Sequence, residues 1–136
     1  MRVAILVSGY LRSFKSNLPK TIEVFEKNFN DIDIFFHITE DEKVQDKYLN
    51  FIDYQNDIPF IIESFNPKSV LIEKNKCFSK HQQKNSLYNT WYKFYKLNKI
   101  KKLEEEISGN KYDIVIKLRP DIEILEENFK HIFDEN

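Results

Sequence analysis

A chain of 136 residues and 16.5 kDa has the size of one ordinary domain, long enough to bury a core and short for a two-domain enzyme. With 41% hydrophobic and 15% aromatic residues it is too apolar for a disordered chain, although 32% of its residues are charged. The 21 basic and 22 acidic residues nearly cancel to −1, which excludes a global field for nucleic acid or an anionic membrane surface, so any anion site must be local.

The apolar run at residues 3–7, closed by Ser8-Gly9, suits a strand buried on both faces of a parallel sheet; it is about half a secretory hydrophobic region. Asn17 is placed to cap a helix with Pro19 near its first turn, and Leu18, Ile22, Phe25 and Phe29 recur at helical spacing to about residue 30. Residues 32–38 read as a second strand. The acidic Glu40-Asp41-Glu42 reads as a loop and first turn of a helix whose inner face is Val44, Tyr48, Leu49 and Ile52. Asp57-Ile58-Pro59 begins a short helix to about residue 65, Asn66-Pro67 breaks it, and residues 69–73 supply a third strand. Residues 80–107 hold neither Gly nor Pro and carry a broad apolar stripe, the longest helix, in which Trp91, Tyr92 and Tyr95 are assigned to packing. Gly109 is its expected C-cap, residues 112–118 the fourth strand, and Arg119-Pro120-Asp121 a turn off its end. Residues 122–125 are expected to continue as a short strand and residues 126–133 as a terminal helix.

Alternating strands and helices predict a single Rossmann-like α/β/α domain over residues 1–136, with right-handed crossovers and a mostly parallel sheet of about four strands in the order 3-2-1-4. The order then reverses between strands 1 and 4. Ligands of open α/β sheets bind beyond the carboxyl ends of the strands at that reversal, where this sequence places Ser8, Gly9 and Arg12 opposite Arg119 and Asp121.

Nowhere do roughly 18 apolar residues run together, as a transmembrane helix requires. The single cysteine, Cys77, has no partner for an intramolecular disulfide, and no Cys/His cluster has zinc spacing, so a reducing, cytoplasmic setting is expected. Only three basic residues are arginine, which marks Arg12 and Arg119 as positions calling for a planar, bidentate donor. Arg12 reads either as a fork onto a diphosphate, beside Ser13, Ser16 and the amides of the first helix, or as a solvated loop residue. Gly9 reads as a close approach to a ligand or as an ordinary tight turn. Neither a GxGxxG nor a Walker A sequence is present, which argues against a dehydrogenase or P-loop ATPase.

Asp121 has the position of an acid that holds a divalent metal or a sugar hydroxyl, with Glu123 as a second metal-binding acid; the competing reading is that Arg119 and Asp121 simply pair at a strand end. Gln82, Gln83, Asn85, Ser86 and Asn89 form a polar band that suits either base or sugar binding or hydration. His37, His81 and His131 have no ligand spacing among themselves, and His37 reads as a partly buried structural histidine.

Ala4-Ile5-Leu6-Val7-Ser8-Gly9-Tyr10-Leu11-Arg12-Ser13-Phe14, taken with Tyr112-Asp113-Ile114-Val115-Ile116-Lys117-Leu118-Arg119-Pro120-Asp121, resembles bacterial and viral proteins of the GT-A glycosyltransferase-like type. The resemblance implies the nucleotide-sugar-binding half of a GT-A domain, with Ser8, Gly9, Arg12, Arg119 and Asp121 at the donor site and Asp121 near the metal-binding acidic motif. It implies Mn²⁺ or Mg²⁺ as cofactor, a nucleotide-sugar donor and a hydroxyl acceptor as partners, and a hexosyltransferase-type reaction in surface glycan synthesis. Two positions depart from it: Lys117 stands where the family has arginine, and the acidic motif is Asp-Ile-Glu in place of Asp-x-Asp. The alternative is a non-catalytic module that binds a nucleotide or partner, its unfinished edges covered in a homodimer or by a partner chain.

Overall fold

A computed structural model describes residues 1–9, 11, 14–44, 47–51, 53–74 and 86–122. Its elements are β1 (Arg2–Gly9), α1 (Phe14–Asn28), β2 (Asp31–Thr39), β3 (Asp41–Val44), β4 (Lys47–Phe51), α2 (Asp57–Phe65), β5 (Ser69–Glu73), α3 (Ser86–Ser108) and β6 (Ile114–Leu118). Four strands form an all-parallel sheet in the order β5-β2-β1-β6, the 3-2-1-4 arrangement expected from the alternation of strands and helices.

Side-chain alternation sorts the sheet into two faces. Val3, Ile5 and Val7 of β1 join Ile34, Phe36 and Ile38 of β2 in one cluster with Phe14, Leu18, Ile22 and Phe25 of α1 and Ile61 and Phe65 of α2. Ala4 and Leu6 of β1 and Phe35 of β2 point the other way, onto Leu97 of α3 and Tyr112. The central strand β1 is therefore covered on both sides, which is why its apolar run is continuous and not alternating. The result is a three-layer α/β/α fold.

Several local expectations are corrected. α1 begins at Phe14, three residues before the expected Asn17 cap, because Phe14 is itself a core residue and extends the buried face by a turn. Pro19 falls inside the helix, and Asn17 bonds elsewhere, as described below. The helix expected around Val44 to Ile52 is an antiparallel pair, β3 with β4, registered from Asp41↔Phe51 to Val44↔Lys47. So short a stretch cannot separate a period of 3.6 from one of 2, and Val44, Tyr48 and Phe51 all favour strands. On α3, Trp91 (63% exposed) and Tyr95 (57%) lie on the surface, not in the core. The inward face is narrower: Leu97 fills it, while Lys93 and Lys101 are buried beside it. Gly109 ends α3 as expected, with φ 75° and its N–H on the Glu105 carbonyl at 3.0 Å. The strand and terminal helix expected beyond Ile122 fall, from residue 123 onward, outside the described residues, as does the start of the long helix before Ser86.

Arg2 closes the opposite, amino-terminal edge. Its Nη2 meets Asp33 Oδ2 at 3.1 Å, its Nη1 donates to Ser108 Oγ at 2.9 Å and to the Asn110 carbonyl at 2.6 Å, and its guanidinium lies 4.1 Å above the Tyr112 ring. Tyr112 donates to the same Asp33 oxygen at 2.6 Å. This clasp holds β1, β2 and the connection between α3 and β6 at the end of the sheet away from the candidate site. Among the described residues, no helix is long and apolar enough to cross a membrane.

Candidate functional site

β1 pairs with β2 on one side and with β6 on the other, both parallel, so the strand order reverses between β1 and β6, the place where open α/β sheets form a crevice at the carboxyl ends of their strands. Gly9 ends β1 with φ 139°, a backbone state that side chains with a Cβ rarely adopt. A Cβ at Gly9 would lie 3.2 Å from Pro120 Cδ, tighter than ordinary contact. The two segments singled out in the sequence, residues 8–9 and 119–121, thus meet across the crevice.

Two side chains of α1 fasten the turn after β6. Asn17 Nδ2 donates to the Asp121 carbonyl at 3.0 Å, and Thr21 Oγ1 donates to the Ile122 carbonyl at 2.8 Å. Residues far apart in sequence thereby set where Arg119 and Asp121 stand. Arg119 Nη2 is 3.0 Å from Asp121 Oδ2, with the arginine side chain 65% exposed and the carboxylate 27% exposed. An ion pair this open is worth little in stability. Asp121 Oδ1 is buried and has no hydrogen-bond partner among the described residues. Ser8 is buried beside the crevice, in register with His37 of β2. Arg12 and Glu123, the other two expected site residues, lie outside the described residues.

Beside the first turn of α1 there is an open hollow of about 300 Å³ lined by Leu11, Phe14, Lys15, Ser16 and Asp57. Lys15 Nζ spans it to Asp57 Oδ1 at 3.1 Å. Among the described residues, the hollow shares no lining residue with the Gly9–Asp121 crevice, and Lys15 is already paired there.

A second polar cluster occupies the α3 side of the same sheet edge. Here Glu73, at the end of β5, receives Tyr92 OH on Oε2 at 2.9 Å and faces His37 Nε2 with Oε1 at 2.9 Å. An ionised carboxylate only accepts, so the hydrogen sits on Nε2 and His37 Nδ1 keeps its lone pair. Burial, offset in part by Glu73, holds the His37 pKa below its ordinary value. Burial acts to raise Glu73, but the bonds from His37 and Tyr92 outweigh it and leave its pKa lowered. The expected structural role of His37 holds in that it is buried, and Glu73 and Tyr92 are partners that the sequence does not announce. His81, Gln82, Gln83 and Asn85 lie outside the described residues, and only the backbone of Ser86 and Asn89, within α3, is described.

Acidification should act through this cluster. His37 resists protonation in the folded state, so as pH falls through about 6.5 the unfolded chain takes up the proton first and stability declines. Glu73, with a lowered folded pKa, adds stability above the ordinary carboxylate range that is lost as pH falls through its folded value. Both signs agree. The urea midpoint is expected to drop between pH 7 and pH 5, and the drop should shrink in His37→Gln. A midpoint independent of pH in that window contradicts a buried neutral His37.

Among the described residues, no group of three or more His, Cys, Asp or Glu side chains is arranged to hold a metal ion. Asp121 offers one free oxygen because Arg119 occupies the other, fewer ligands than a hard divalent cation takes. The described residues therefore do not by themselves fit the cation that the resemblance implies.

No protein-family model, curated protein or solved structure matches this chain.

Proposed function

We propose that the chain binds a nucleoside-diphosphate sugar in the crevice between β1 and β6 and serves transfer of the sugar to an acceptor hydroxyl. The observation that carries this reading is the pairing of unlike needs at one place. Asp121 Oδ1 is a buried acceptor with no donor, and the Arg119 guanidinium beside it is exposed. A ligand with hydroxyls and an adjacent diphosphate meets both needs: a sugar O–H donates to Asp121 and the phosphate oxygens take the planar fork of Arg119. Gly9, with no Cβ, lets Pro120 come close to the end of β1, which brings the Arg119–Asp121 turn against that strand.

In the transfer, the acceptor oxygen bonds to the anomeric carbon as that carbon's bond to the diphosphate oxygen breaks, and the electron pair leaves with the diphosphate. Arg119, with Arg12, stabilises the charge that develops there. No step of this transfer is routed through a cation.

The Arg119–Asp121 pair also favours a second reading, a non-catalytic nucleotide- or partner-binding module in which that pair simply closes the end of β6 and the edge strands β5 and β6 are covered by another copy or chain. A thermal-shift screen of UDP-, GDP-, CMP- and dTDP-sugars, each with and without Mn²⁺, separates the two, because a ligand specific to the folded state raises its melting temperature. One nucleotide sugar is expected to raise it, and Asp121→Ala to weaken that binding about tenfold to a hundredfold while the unliganded protein melts normally. An undiminished shift in Asp121→Ala rules out Oδ1 as a ligand contact. No shift with any nucleotide sugar favours the module.

A further inference from the structure

The second polar cluster leaves two hydrogen-bonding needs unmet. His37 (2% exposed) and Thr39 (4%) are two residues apart on β2, so they point to the same face, that of Phe35 and α3. His37 Nδ1 and Thr39 Oγ1 are both buried and have no hydrogen-bond partner among the described residues. Buried polar atoms almost always find a partner, and leaving one unmade costs its full desolvation. The ring cannot relieve this by changing tautomer, because Glu73 holds the hydrogen on Nε2 and is itself held by Tyr92.

We infer that His37 Nδ1 and Thr39 Oγ1 form a binding position for a single O–H group at the carboxyl end of β2. His37 Nδ1 accepts, so the occupant donates to it, and the Thr39 hydroxyl donates to or accepts from the occupant as needed. Ser8 of β1, at the strand end that pairs with β6, stands in register beside His37. The O–H belongs either to a hydroxyl of the ligand, which rests on the reading above, or to an internal water, which does not.

Thr39→Val tests this in the full chain, because valine keeps the shape and removes only the hydroxyl. Melting temperature is measured without ligand, with UDP and with UDP-glucose. A fall of a few degrees without ligand identifies a resident water. No fall without ligand, with the extra shift of UDP-glucose over UDP abolished in both Thr39→Val and His37→Gln, identifies a ligand hydroxyl. In either case Thr39→Ser restores wild-type behaviour. A melting temperature that rises in Thr39→Val, with ligand shifts unchanged or absent, means that the position is empty and overturns the inference. If no nucleotide shifts the wild type but Thr39→Val still melts early, the transferase reading fails and the inference stands.

Discussion

Replacing Phe36 by alanine is expected to lower the free energy of unfolding by about 4 kcal/mol, the cost of deleting a large buried side chain and leaving a cavity. Phe36 is fully buried at the centre of β2, flanked in register by Val7 of β1 and Val70 of β5, with its ring 5.6 Å from that of Phe65 on α2. Three elements therefore lean on one ring of β2. Domains of this size are stable by only about 5–15 kcal/mol, so the loss is a large fraction and corresponds to roughly 15 °C in melting temperature. Phe36→Leu, which keeps most of the volume, should cost only about 1.5 kcal/mol. Urea unfolding measures both. A loss below about 1 kcal/mol for the alanine variant would mean that α2 does not press on β2. Because β2 also carries His37 and Thr39 on its other face, a collapse at Phe36 should disturb that cluster without any direct contact to it.

What the sequence discloses and what it hides follow from how local each signal is. The strand order was readable because apolar strand segments alternate with helical ones along the chain, and right-handed crossovers leave few arrangements. That same reasoning puts the ends of β1 and β6 side by side, so the meeting of Gly9 with residues 119–121 is a consequence of topology. The β3–β4 pair was not readable, since its strands are four and five residues long and neither periodicity can establish itself. Arg2 is a plain case of a hidden partner: nothing near it in sequence points to Asp33, Tyr112 or Ser108, which only the folded sheet brings within reach. Glu73 and Tyr92 are likewise 36 and 19 residues from the groups they bind. The Asn17 and Thr21 bonds to the Asp121 turn span more than 100 residues, and Asn17 was more readily seen as a helix cap. Functional residue types were visible in the sequence, while the groups that position them were visible only in the structure.

Gly9→Ala should lower stability by about 2–3 kcal/mol, and the loss has two separable causes. The φ of 139° is strained for any residue with a Cβ, a cost of about 1–3 kcal/mol. The new methyl also meets Pro120 Cδ at 3.2 Å, and Pro120 is among the fully buried residues, so it has little room to give way. Removing that carbon relieves the second cause and leaves the first. The double variant Gly9→Ala with Pro120→Ala should therefore be more stable than the sum of the single losses, with a coupling of about 1 kcal/mol in a double-mutant cycle. The same cycle bears on function. If the close approach of β1 to residues 119–121 shapes the ligand crevice, Gly9→Ala should weaken nucleotide-sugar binding by displacing Asp121, and the double variant should recover part of it. Coupling near zero would assign the whole cost to φ. Binding that tracks stability without recovery in the double variant would separate the crevice from the ligand and leave Gly9 as a turn residue alone.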